Sequence, residues 1–121
     1  MAEQLAELNK GDVGEVFSSI PTIIGTDANG NPIYRKILKG TLTSPYSIVH
    51  GITNLDDVYR LDGYVKSAST TRPLSLAYYG DASWDSAISI TSTNVVIEAG
   101  TSYLNAHTGY GYTITIEYTV S

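Results

Sequence analysis

Residues 22 to 36 read T-I-I-G-T-D-A-N-G-N-P-I-Y-R-K, two short β-forming runs around a polar tip. Asp27, Asn29, Gly30 and Asn31 are the residue types that tolerate positive φ or close a turn through their own side chains, and Pro32 sets φ where the second run starts. The spacing predicts a hairpin with strands over Thr22–Thr26 and Ile33–Lys39. Along the second strand one face carries Ile33, Arg35 and Ile37 and the other Tyr34, Lys36 and Leu38, so neither face is plainly solvent. Such a pattern suits an edge or intersubunit strand.

Outward from the hairpin the chain keeps the same short period. Strands are predicted over Tyr46–Gly51 after a Ser-Pro turn, Asp57–Lys66 with a bulge at Gly63, Leu74–Tyr79, Ala87–Thr91, Asn94–Ala99 and Gly111–Val120, with Ser67–Arg72 as a polar loop. The last strand is the clearest: Tyr112, Ile114, Ile116, Tyr118 and Val120 alternate with Thr113, Thr115, Glu117 and Thr119, a two-residue period with one apolar face. No helical period reaches the length that parallel crossovers need. The fold class expected is therefore all-β, an antiparallel, jelly-roll-like sandwich of about eight strands.

Before the hairpin, Met1 to Lys10 has the narrow apolar stripe of a short helix, ended by Lys10 and Gly11. Ten residues do not hold a helix alone in water, so this segment either frays or is held by another protein. Gly11 to Pro21 is a connector. The expected organisation is an N-terminal anchoring segment, residues 1–21, with Leu5, Leu8, Val13, Val16 and Phe17 as its anchors, followed by a β-sandwich over residues 22–121.

Composition narrows the function. A chain of 121 residues makes one domain with one modest core. It has no cysteine, which removes disulfides and thiolate metal sites. A net charge of −5 and a pI near 4.7 argue against a nucleic-acid partner, because phosphates call for clustered Lys and Arg. No apolar run is long enough for a membrane helix, and acidic Glu3 and Glu7 stand where a signal peptide carries basic residues, so a soluble product made in a cytosol is expected. Ten tyrosines against one Phe and one Trp, amid many Ser and Thr, fit half-exposed pleated sheet and are also the palette of recognition surfaces.

Several segments in order resemble a β domain found at the ends of many tailed-bacteriophage tail, baseplate and fibre proteins. G-T-D-A-N-G-N-P-I-Y-R-K looks like that family's W-x-D-G-K-P-I-Y-R-K hairpin. Ser47 to Val58, S-I-V-H-G-I-T-N-L-D-D-V, resembles its V-x-H-G-I-S-N-L-D-x-V element, and Leu61-Asp62-Gly63-Tyr64 its I-x-G-Y. Pro73-Leu74 matches a P-L-P step and Ile114 to Thr119 the closing V-T-I-E-Y-T-K. The likeness runs from Thr22 to the C-terminus. Two departures stand out: Ile24 replaces the tryptophan that often opens the hairpin, and a longer Tyr/Gly loop replaces a short D-R-S element before the last strand. The resemblance implies a virion protein made in the bacterial host cytoplasm: a short tail or baseplate fibre head that is commonly a homotrimer, contacts other virion proteins and attaches to the host surface. A capsid-attached head fibre or decoration protein, anchored by its N-terminal segment, is the alternative.

Catalytic chemistry finds little support. A nucleophilic triad needs His beside Ser and a carboxylate, but His50 and His107 are the only histidines and no G-x-S-x-G elbow is present. His50 is read as holding a turn. Asp56 with Asp57, and Asp81 with Asp85, are paired carboxylates of the kind a polysaccharide hydrolase uses, yet neighbours in a strand point to opposite faces. D-A-N-G-N has the opening spacing of an EF-hand, but Pro32 and Leu38 stand where its glycine and bidentate Glu belong. No enzyme activity, cofactor or metal is expected. A host cell-surface glycan is the candidate ligand, because sugars stack on flat rings while short polar side chains take their hydroxyls. Two aromatic loops offer that mixture: Tyr79, Asp81, Trp84 and Asp85 in one, Tyr103, Asn105, His107 and Tyr110 in the other. The plainer reading of the same rings is packing at the rim or at a subunit seam.

Overall fold

A computed structural model describes residues 20–77 and 80–121. The residues expected to anchor the chain, Leu5, Leu8, Val13, Val16 and Phe17, lie outside that range. Among the described residues eight strands form two antiparallel sheets: β1 (Thr22–Thr26), β2 (Pro32–Thr41), β3 (Ser47–Val49), β4 (Leu55–Lys66), β5 (Thr71–Pro73), β6 (Ser86–Ile90), β7 (Asn94–Ala99) and β8 (Gly111–Val120), with one α-helix, α1 (Thr101–His107). One sheet runs β1-β2-β8-β4-β5 and the other β3-β7-β6. Leu38, Val65, Ile114, Ile116 and Tyr118 from the first meet Val95 and Ile97 from the second in one core, joined by Leu42, Ile52, Leu74 and Tyr103. This is the expected all-β sandwich. No helix among the described residues is long and apolar enough to cross a membrane.

The opening hairpin closes through the chemistry of its tip. The Asp27 carboxylate accepts the backbone N–H groups of Asn29 at 2.9 Å and Asn31 at 2.8 Å, and Gly30 takes φ +81°, a conformation that costs a side-chain-bearing residue more. These bonds, the Asn31 backbone N–H foremost, hold the Asp27 carboxyl below its ordinary range. The hairpin thus accounts for the oxygen ligands that a calcium reading would borrow.

β8 is the centre of the large sheet, paired along its length with β2 and with β4. Tyr112, Ile114, Ile116 and Tyr118 face the core as their period requires. The opposite face is less open than a half-covered strand would be: Thr113, Thr115 and Thr119 are also buried. They stand in register between longer side chains, Thr115 between Ile37 and Asp62, Thr113 between Lys39 and Tyr64. On this face Glu117 receives Arg35 at 2.7 Å and Arg60 at 3.3 Å, linking three strands. β2 is interior rather than an edge. Its Tyr34 stacks on Tyr118 with ring centroids 5.7 Å apart, Leu38 enters the core, and Ile37 is buried on the far face. The edges of this sheet are β1 and β5, and β1 exposes Ile23 and Ile24, with Ile20 just before it also exposed.

Two local expectations are corrected. The irregularities of β4 fall between Leu55 and Arg60, and Gly63 lies in regular pairing with Ile114. Glycine is required there by a close approach: a Cβ would lie 2.6 Å from the Thr113 carbonyl and 3.0 Å from Leu74 Cδ1. The strand expected from Leu74 is instead β5 just before it, pairing Pro73 with Tyr64. Leu74 turns inward, fully buried, and Leu76 keeps a single antiparallel bridge to Ser86.

Candidate functional site

The two aromatic loops meet. In the first, the Asp81 carboxylate accepts Ser83 Oγ at 2.6 Å and the Ser83 backbone N–H at 3.0 Å, capping a 3-10 turn over Ala82–Trp84. The Ser83 side chain is the chief reason that the Asp81 carboxyl lies below its ordinary range. Ser83 and Ser102 hydroxyls share a hydrogen bond at 2.9 Å, and the Gly100 N–H donates to the Asp85 carbonyl at 2.9 Å. The 3-10 turn is thereby bonded to the start of α1.

Where the sequence suggests a second aromatic loop from Tyr103 to Tyr110, the chain instead forms α1 as far as His107. Tyr103 and His107 are four residues apart, hence on one helix face, and both are buried. The Tyr103 hydroxyl donates to the Pro73 carbonyl at 2.7 Å. Burial raises its pKa above the ordinary tyrosine value. His107 Nδ1 donates to the Tyr103 carbonyl at 2.8 Å. The His107 ring lies 4.3 Å from that of Tyr103, 5.2 Å from Tyr110 and 6.4 Å from Trp84, the last two edge-on. Tyr103 and His107 are therefore packing residues, with no ring face left for a sugar. Trp84, Asp85 and Tyr110 are half-buried, Asp81 and Asn105 are exposed, and Tyr79 lies outside the described residues.

His50 is also structural. It is 1% exposed; its Nδ1 accepts the Ile52 N–H at 3.0 Å and its Nε2 bonds the Thr91 carbonyl at 2.9 Å. An amide N–H only donates and a carbonyl only accepts, so the proton is on Nε2. The imidazole pins the connection between β3 and β4 to the turn between β6 and β7, and both nitrogens are engaged. Lys36 Nζ adds a bond to the His50 carbonyl at 2.6 Å. Asp56 and Asp57 are exposed at the irregular start of β4. No group of three or more His, Cys, Asp or Glu that could hold a metal occurs among the described residues.

No family model, curated protein or solved structure matches this chain.

A cleft that the sequence reading did not single out opens at the β2–β3 connection. It has a volume of about 170 Å³ and lies among Leu42, Pro45, Tyr46, Ile48 and Tyr112. Tyr46 has φ +60°, in the left-handed region that bulky residues seldom occupy. Its N–H donates to the Thr43 carbonyl and its carbonyl accepts the Ile97 N–H, both at 2.9 Å. Its hydroxyl is 2.9 Å from Thr108 Oγ1, and Thr108 gives its own proton to the Leu104 carbonyl at 2.6 Å, so Tyr46 is the donor. Sequence offered only the S-P-Y turn as a signal, which marks a bend and says nothing of a ring fixed over a cavity.

Proposed function

We propose that the chain is a structural docking module of a bacteriophage particle, a short tail or baseplate fibre head that assembles as a homotrimer and attaches the particle to its host surface. One observation carries most of this reading. The segments that resemble the phage β domain are far apart in sequence, yet the hairpin (β1 and β2), the closing strand (β8), L-D-G-Y (β4) and Pro73 (β5) make up one sheet in the order β1-β2-β8-β4-β5. The remaining motif, Ser47 to Val58, runs from β3 in the second sheet through a joint at the buried His50 and Ile52 into β4. A resemblance that falls on one connected framework is what common architecture would produce, whereas chance matches would scatter over unrelated surfaces.

Two further features support docking over turnover. Both His50 nitrogens hold backbone groups, and the Asp81 carboxylate is engaged with Ser83, which suits scaffolding. The edge strand β1 exposes Ile23 and Ile24, and an edge with unpaired backbone groups is where copies of a chain join. Trimerisation multiplies weak contacts, since each later contact is made at high effective concentration.

Antibody raised against the domain and visualised with gold on purified particles tests the assignment. Label at the tail tip is the expected result. Label on the capsid would move the protein to a head fibre or decoration role, and unlabelled particles would overturn the virion assignment. Sedimentation of the purified chain should give a trimer mass.

A further inference from the structure

We propose that the cleft between Tyr46 and Tyr112 is a saccharide subsite that takes a single neutral hexopyranose ring. The proposal deepens the attachment reading and rests on it for its biological setting; the chemistry of the cleft stands by itself.

Size comes first. Clefts that hold drug-sized ligands run from roughly 300 Å³ upward, so about 170 Å³ admits one ring and not an extended oligomer. The lining then sets the chemistry. Tyr46, Tyr112, Pro45, Leu42 and Ile48 line the cleft beside the hydroxyl-bearing Thr41, Thr43 and Ser47, and the surface it offers is more polar than apolar. No charged side chain lines the cleft among the described residues. A charged ligand would give up hydration there without a counter-ion, which disfavours it. A pyranose offers many uncharged hydroxyls to such a lining and a small apolar C–H face to the lesser apolar part beside them.

The polar groups are available in the required sense. Ser47 Oγ accepts Asn94 Nδ2 at 3.0 Å, which orients the hydroxyl and leaves its proton to donate. The Tyr112 hydroxyl makes no hydrogen bond among the described residues and lies over Gly40, where a Cβ would fall 2.5 Å from it. Gly40 thus leaves the room in which the Tyr112 ring sits.

Preorganisation is the third observation. The left-handed backbone of Tyr46 is unfavourable for a bulky side chain, and such strain persists only where surrounding bonds over-determine it. Here bonds to Thr43, Ile97 and Thr108 hold the residue at its N–H, carbonyl and hydroxyl. A ring immobilised before binding loses little freedom on contact.

Titration of the ¹⁵N-labelled full chain with the methyl glycosides of glucose, galactose, mannose and N-acetylglucosamine, followed by amide chemical shifts, tests the proposal. At least one glycoside should give saturable shifts at the amides of Thr43, Tyr46, Ser47 and Tyr112, with a dissociation constant on the order of 1 mM. Tyr46→Gly removes the ring while relieving the positive φ, and should weaken binding at least about tenfold with amide dispersion retained. Tyr112→Phe keeps the ring and loses only the hydroxyl; it should weaken binding a few-fold and supplies the reading if Tyr46→Gly does not fold. The proposal is overturned if none of the four glycosides shifts these amides in the tens of millimolar, if the shifts centre on Trp84 and Tyr110, or if the foldable variant binds as tightly as the parent. It is equally overturned if a proline-rich peptide, and no glycoside, occupies the cleft. Particle labelling is independent: a saturable cleft with unlabelled particles retains the subsite and removes the virion setting, and labelled particles with a silent cleft do the reverse.

Discussion

Replacing His50 by Ala removes the acceptor of the Ile52 N–H and the donor to the Thr91 carbonyl. The two losses are unequal. Ile52 is buried, so its amide is left without a partner, at about 1–3 kcal/mol. Thr91 lies in an exposed turn, where water can take up the carbonyl at little cost. Truncating a ring that is 1% exposed adds lost packing and a cavity, about 1 kcal/mol for a polar ring. The sum is about 3 kcal/mol, or about 15 °C in Tm for a domain of this size. Two further variants separate the contributions. Asn places an acceptor near the Nδ1 position and should cost only about 1 kcal/mol, whereas Gln reaches toward Thr91, leaves the Ile52 amide bare and should cost about 2 kcal/mol. Urea unfolding of all three against the parent gives the order directly. An Ala variant within about 1 kcal/mol of the parent, or a Gln variant more stable than Asn, would refute the assignment of His50 as the pin of this joint.

Three other outcomes are expected. A Cβ at residue 100 would collide with the Ser83 backbone, so Gly100→Ala should cost about 2 kcal/mol and part the 3-10 turn from α1. Trp84 is the only tryptophan, and its fluorescence should report the parting; an unchanged spectrum and melting temperature would refute it. Burial raises the pKa values of Tyr103, Tyr112 and Tyr118 above 10.0. A raised pKa means that the folded state holds the proton longer, so the stability these groups contribute is complete below pH 10.0 and is lost as the pH rises through their folded values. Spectrophotometric titration should show a late-titrating subset whose ionisation coincides with unfolding. Glu117→Ala leaves the guanidinium groups of Arg35 and Arg60 converging without the carboxylate between them; it should cost about 1 kcal/mol, less at high salt, as read by denaturant midpoints at two ionic strengths.

The sandwich, the opening hairpin and the strands β7 and β8 were legible in sequence because their causes are local. Asp27 and Gly30 close the turn whatever surrounds them, and a two-residue period declares a half-apolar strand before any partner is known. α1 was not legible: T-S-Y-L-N-A-H is too short to be helical alone, and it is held by Tyr103 and His107 packing into a core assembled from distant strands. The same dependence turned two candidate sugar-stacking rings, Tyr103 and His107, into interior ones.

Sequence by itself determined that this chain is antiparallel β, where its clearest turns fall and that it carries no cysteine chemistry. Tertiary structure alone decided that β8 is the centre of the sheet, that Gly63 is a point of close approach, that His50 is a pin and that Tyr46 is held over a cleft. The division has one physical origin. Period and turn chemistry act over a few residues, whereas burial, ring orientation and cavity shape depend on segments such as Tyr46 and Thr108, which are far apart in the sequence and become neighbours only once the chain has folded.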